Sequence, residues 1–166
     1  MAKTNYNVQL ANAVKKMLDK QGFKYEWFDD NAAIRFGCNL GKNQELQNAR
    51  MTVYFQENGF TSYATASISA EESNIDSVAE YITRANYGLR VGNFEVDYND
   101  GEVRFKSHHI SVNIIPSEED LDFLVFAPLY MWKKYGNGFV KVLLGGVSPK
   151  SAIEEAEAGV RTKTWT

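Results

Sequence analysis

The sequence predicts an α+β fold: an antiparallel sheet of five to six strands packed by helices, in the order α-β-β-β-β-α-β-β-α-α. Three observations predict it. Some stretches repeat their apolar residues every three to four positions, as a helix does, and others every second position, as a half-buried strand does. Strands and helices come in runs rather than in strict alternation, which favours segregated layers over a parallel sheet. Turn residues such as Glu57-Asn58-Gly59 and Asn99-Asp100-Gly101 separate neighbouring strands at hairpin spacing. With no internal repeat, linker or low-complexity tract, residues 1–166 read as one domain.

The first element is a helix. Leu10, Val14, Met17 and Leu18 share one face, Lys15, Lys16 and Asp19 the other, and Gly22 stands where a left-handed cap is needed. Phe23, Tyr25 and Trp27 then alternate with charged residues as a strand, closed by the turn Asp29-Asp30-Asn31. Ile34, Phe36 and Cys38 make a second strand, residues 41–48 a polar loop, and Met51, Val53 and Phe55 a third strand. The fourth runs from Phe60 to Ile68, with Ala64 and Ala66 small enough to admit a helix closely. Ser73 is the expected N-cap of the second helix, whose face carries Ile75, Val78, Ala79, Ile82 and Asn86, and Gly88 ends it.

Val91 to Tyr98 is the next strand, and Val103 and Phe105 begin its return. Ile110, Val112 and Ile114 carry the apolar alternation onward at the opposite parity, which predicts a bulge between Lys106 and His109. Ser117 caps a third helix, and Glu118, Glu119, Asp120 and Asp122 complement its dipole. Leu121, Leu124, Val125, Pro128, Leu129 and Trp132 lie on one face. Pro128 is expected to kink this helix, Tyr135-Gly136-Asn137-Gly138 to loosen or break it, and Lys133-Lys134 read as cations at a helix C-terminus. Phe139, Val142 and Leu143 resume the period until Gly145-Gly146. Ser148-Pro149 opens a last helix to about Ala158.

Three of these stretches resemble a known family. They are Asn86 to Leu89 leading into Gly92-Asn93-Phe94-Glu95-Val96-Asp97, then Asp100-Gly101-Glu102-Val103-Arg104-Phe105, and Gly145-Gly146-Val147-Ser148-Pro149 with Ala152 and Glu155 behind it. In this order the chain is similar to the YbjN-like bacterial proteins, labelled sensory transduction regulators. The resemblance implies a fold like that of type III secretion chaperones, small dimeric α+β proteins that hold a partner polypeptide. It implies no catalytic residues.

The chain's balance of 18 Lys plus Arg against 21 Asp plus Glu gives a net charge of −3, without the basic stripe of a nucleic-acid binder. The longest apolar run, Phe123 to Trp132, is too short to span a bilayer, and no apolar leader opens the chain. The single cysteine forms no internal disulfide. A cytoplasmic protein is expected, with no membrane partner.

Residue by residue, catalysis finds little support. His108 and His109 are adjacent on a strand and so point to opposite faces, which is unsuited to gripping one metal ion. Cys38 reads as a small buried hydrophobe. Gly136-Asn137-Gly138 has Lys141 where a dinucleotide fingerprint needs its third glycine, and it follows a helix. No metal, cofactor or catalytic residue is assigned. The informative surplus lies on the third helix: Phe123, Phe126, Tyr130 and Met131 fall off the Leu121–Trp132 face. A helix apolar nearly all round is covered on more than one side, by a second helix, a second subunit or a ligand. These four residues are the candidate partner or dimer interface. A non-enzymatic, homodimeric binding or regulatory protein is the first expectation. A small-molecule or lipid-binding domain, with Trp27, Phe36, Phe55 and Phe94 around a pocket, is the second, and an unrecognised hydrolase or transferase built on Cys38 or a histidine the third.

Overall fold

The computed structural model describes residues 5–158. Its order is α1 (Val8–Lys20), β1 (Glu26–Phe28), a 3₁₀ turn (Asp29–Asn31), β2 (Ala33–Asn39), β3 (Asn48–Gln56), β4 (Gly59–Ala66), α2 (Ile75–Asn86), β5 (Asn93–Val96), β6 (Val103–Ile110), α3 (Glu118–Leu143) and α4 (Pro149–Glu157). The six strands form one antiparallel sheet in the order β1-β2-β3-β4-β6-β5, so the predicted fold class and element order hold.

Local chemistry sets the helix ends. Asn7 and Ser117 each accept a backbone N–H in the first turn of α1 and α3. Both helices end in the same double-bonded cap. Gly22 (φ 78°) donates to Asp19 while Phe23 donates to Leu18, and Gly145 (φ 73°) donates to Val142 while Gly146 donates to Lys141. That cap takes Phe23 and Tyr25 out of the expected first strand, which is only three residues long. The N-cap of α2 is Asn74 rather than Ser73. Its side chain accepts from Glu71 N–H and donates to the Leu143 carbonyl, tying the start of α2 to the end of α3.

One face of the sheet meets α3. Trp132 Nε1 donates to the Ala64 carbonyl at 2.8 Å, and Ser62 Oγ to the Val125 carbonyl at 2.7 Å. Between them lies a filled aromatic core. Phe94 touches Phe105, Trp132 and Tyr135 at ring-centre distances of 4.8, 4.9 and 5.7 Å, and Phe36 touches Phe23 and Phe126 at 5.3 and 5.9 Å. The opposite face carries Tyr54, Tyr63, Arg104 and Lys106, with Arg104 stacked 4.5 Å over Tyr63 and bonded to Glu95.

Two expectations about α3 fail. The helix, with Pro128 inside it, runs unbroken through Gly136-Asn137-Gly138, and Lys133 and Lys134 lie in mid-helix rather than at a C-terminus, over the rings of Tyr130 and Tyr135. The glycines are buried there because neighbours press in. A Cβ on Gly138 would sit 2.4 Å from the Tyr81 hydroxyl, and one on Gly136 would sit 3.2 Å from Leu46. Asn137 faces out and accepts from Glu45 N–H at 2.8 Å.

The predicted bulge is also absent. β6 pairs with β4 in one continuous register from Arg104 to Ile110. The inward parity of Val103, Phe105 and Ser107 never flips; Ile110, Val112 and Ile114 lie outside the core instead.

Candidate functional site

Four side chains around the junction of β6 and α3 are more than half exposed: Ile110 (67 %), Val112 (54 %), Ile114 (71 %) and Phe123 (62 %). Sequence order brings them together. β6 stops at Ile110, Ser111 N–H donates to the Asn58 carbonyl, and the Ser111 hydroxyl donates to the Ile114 carbonyl. Asn113, in the left-handed region (φ 59°), turns the chain back toward α3. A cleft of about 440 Å³ results, lined by His109, Ile110, Val112, Ile114, Phe123 and Leu124. Tyr130, 38 % exposed, extends the apolar surface along α3, its ring 6.3 Å from that of Phe123. A contiguous apolar surface of this kind is typical of a binding site rather than of idle exterior.

The four off-face residues of α3 part company. Phe123 and Tyr130 are at the surface. Phe126 is buried against Phe23 and Phe36, inside the chain's own core, and Met131 is half-buried against that core. Ile110, Val112 and Ile114 escaped the sequence reading, which turned their parity inward. For Ile110 the signal was the parity change itself, since an uninterrupted ladder sends that phase outward, whereas Val112 and Ile114 lie beyond the end of the strand.

The backbone adds a second feature. β5 is four residues long and pairs with β6 only from Val103 to Lys106, whereas β4 pairs on the other side as far as Ile110. Asp97 N–H bonds the Glu102 carbonyl, so alternation makes Glu102, Arg104, Lys106, His108 and Ile110 the residues of β6 whose N–H and C=O point to the β5 side. Past Lys106 no strand of the described residues lies alongside. Gly92, in the left-handed region at φ 76°, marks where the chain before β5 leaves the ladder. On β5 itself the outward residue Phe94 is capped: Asn86 Oδ1 accepts its N–H at 2.7 Å and Asn86 Nδ2 donates to its carbonyl at 3.0 Å.

The titratable candidates are dispersed. His108 Nδ1 lies 2.9 Å from Thr61 Oγ1 on one face of the sheet, and His109 packs on Phe60 at 5.4 Å on the other. Burial and then the neighbouring His108 hold the His109 pKa below its usual value, against a smaller pull from Asp120. Cys38 borders a cleft with Phe126, Tyr130 and Lys133. Burial pushes its thiol up to about 11, more than Lys133 lowers it, so it is protonated and a poor nucleophile at neutral pH. The acids of α3 do structural work: Glu118 pairs with Lys20 at 2.6 Å and Asp122 accepts from Gln21 at 2.7 Å, fastening α1 to α3. Among the described residues no group of three or more His, Cys, Asp or Glu could hold a metal ion, and no helix is long and apolar enough to cross a membrane. Of the rings expected around a ligand pocket, Trp27 packs on Phe55 at 6.1 Å, Phe36 on Phe23 at 5.3 Å and Phe94 on Phe105 at 4.8 Å.

No known family model matches the chain, and no curated protein sequence matches it. Among solved structures it is similar to YbjN from E. coli, described as a candidate transcription regulator. The TM-score is 0.56 at 14 % identity, over 85 % of this chain and 93 % of that one. This chain therefore has a YbjN-like fold.

Proposed function

We propose that this protein is a non-enzymatic binding protein that works by holding another polypeptide chain. One observation carries the reading: the exposed apolar surface of Ile110, Val112, Ile114 and Phe123, continued by Tyr130. The dispersal of Cys38, His108 and His109 over separate parts of the sheet supports it, as does the protonated state of the Cys38 thiol. The regulator description of YbjN is in keeping with such a role. Phe123 is the most informative probe. It is an exposed aromatic in the lining of the cleft, and its exposure means that a substitution leaves the core intact. A photo-crosslinking residue at position 123 is expected to trap a polypeptide in cells, and Phe123→Glu in the purified chain to weaken that complex at least tenfold. Failure to trap any protein, with binding unaffected by Phe123→Glu, would exclude the reading.

A further inference from the structure

We infer that the polypeptide seated in this cleft presents a basic amphipathic segment, its apolar side chains entering beside Phe123 and its lysines or arginines lying over Glu119 and Asp120. The inference rests on the reading of the cleft as a polypeptide-binding site and adds the chemistry of the partner. Charge complementarity carries it. Between Lys106 and Lys133 the chain contains no lysine or arginine, and every residue lining the cleft comes from that stretch. The carboxylates that open α3 divide between two sides. Glu118 pairs with Lys20 and Asp122 accepts from Gln21, so both engage the end of α1. Glu119 and Asp120 precede Phe123 by four and three positions, which places all three on one strip of the helix surface. Asp120 lines the cleft itself.

Among the described residues, neither Glu119 nor Asp120 pairs with a lysine or arginine; Asp120 accepts from the Ser117 hydroxyl. The helix dipole offsets about half a charge, well short of two. His109, which also lines the cleft, is held toward its neutral form by burial and by His108, so it supplies no counter-charge at neutral pH. The lysines that bound the stretch are engaged elsewhere. Lys106 bonds Glu95 on the opposite face of the sheet, and Lys133 lies over Tyr130, about 15 Å farther along α3 than Phe123. The hairpin beside the cleft, where the Asn58 carbonyl accepts from Ser111 N–H, adds a further acid in Glu57. An apolar floor of Val112, Ile114 and Phe123 under an uncompensated acidic rim is complementary to an apolar anchor flanked by cations. The same rim repels an acidic peptide and an anionic membrane.

Fluorescence anisotropy of the full chain with three labelled peptides tests this. The first is patterned as an amphipathic helix of leucine and lysine, the second has glutamate for every lysine, and the third has serine for every leucine. The leucine–lysine peptide is expected to bind, and each of the others at least about tenfold more weakly. Glu119→Gln with Asp120→Asn should weaken the leucine–lysine peptide about three- to tenfold and flatten its salt dependence, because salt screens exposed charges. Phe123→Ser should weaken it about tenfold and leave that dependence in place. Glu71→Gln with Glu72→Gln, at the far end of α3 where Asn74 bonds Leu143, should change nothing. Equal losses from the two acid pairs, or phosphatidylserine vesicles bound as tightly as the leucine–lysine peptide, overturn the inference. If the glutamate peptide binds as well as the lysine one and Phe123→Ser weakens both, the cleft holds polypeptides of another chemistry, and the basic partner alone is overturned. If no peptide binds, the inference is overturned, and crosslinking from position 123 separately decides the polypeptide-binding reading.

Discussion

At Gly138 a helix residue is absent a methyl group so that a tyrosine can enter. Tyr81 reaches across from α2, donates to the Tyr135 carbonyl at 2.6 Å, and occupies the space that a Cβ would need. Gly138→Ala should therefore destabilise the fold by roughly 1–3 kcal/mol, the range of overpacked cores, despite the gain of about 1 kcal/mol in helix propensity. In a Tyr81→Phe background the same change should cost less, because its closest obstacle, the hydroxyl, is gone. Urea unfolding of the double-mutant cycle reads this, and an equal cost in both backgrounds would show that Tyr81 is not the obstacle. This is also why the glycines misled the sequence reading. Propensity is a local quantity, whereas Tyr81 and Leu46 arrive from 57 and 90 residues away.

The lesson repeats for whole elements. The C-terminal cap of α1 and the N-caps of α3 and α4 were legible because cap and turn residues act within four positions of themselves. The fate of β6 was not. A hydrophobic alternation that changes parity is explained equally by a bulge that keeps it buried and by a straight ladder that exposes it. Pairing with β4, far off in sequence, decides for the ladder. α3 continues through Pro128. The proline denies an N–H to the Leu124 carbonyl, yet the helix continues, braced where Ser62 Oγ donates to the neighbouring Val125 carbonyl. Ser62→Ala should cost about 1 kcal/mol by chemical denaturation. Pro128→Ala should reduce that cost if the brace serves the proline, and leave it unchanged if it does not.

Across the whole molecule, acid stability should fall in two steps. The folded protein holds the His109 pKa below 6.5, so the unfolded chain binds a proton first. The contribution of the neutral ring is present above about pH 6.5 and is lost as the pH drops toward the lowered value. Burial raises the Glu95 carboxyl, but Lys106 and Arg104 beside it outweigh burial and hold it below 4.5. Its contribution is present above that pH and is lost as the pH falls through the depressed value. Midpoints of thermal melting between pH 8 and 3 should show both steps, and His109→Gln should remove the first alone. A flat profile through pH 6 in the parent chain would contradict the burial of the ring.

Asn86 has a consequence for solubility. Sheet proteins risk fibre growth when each added chain offers a fresh edge to the next. By satisfying both backbone groups of Phe94, Asn86 denies the outer side of β5 to an incoming strand at that residue. The open stretch of β6 is flanked by β5 at one end and by the turn at Ser111 at the other, so it has room for a single short strand. Replacing Asn86 would leave both groups of Phe94 without that partner and open a route to insoluble aggregates.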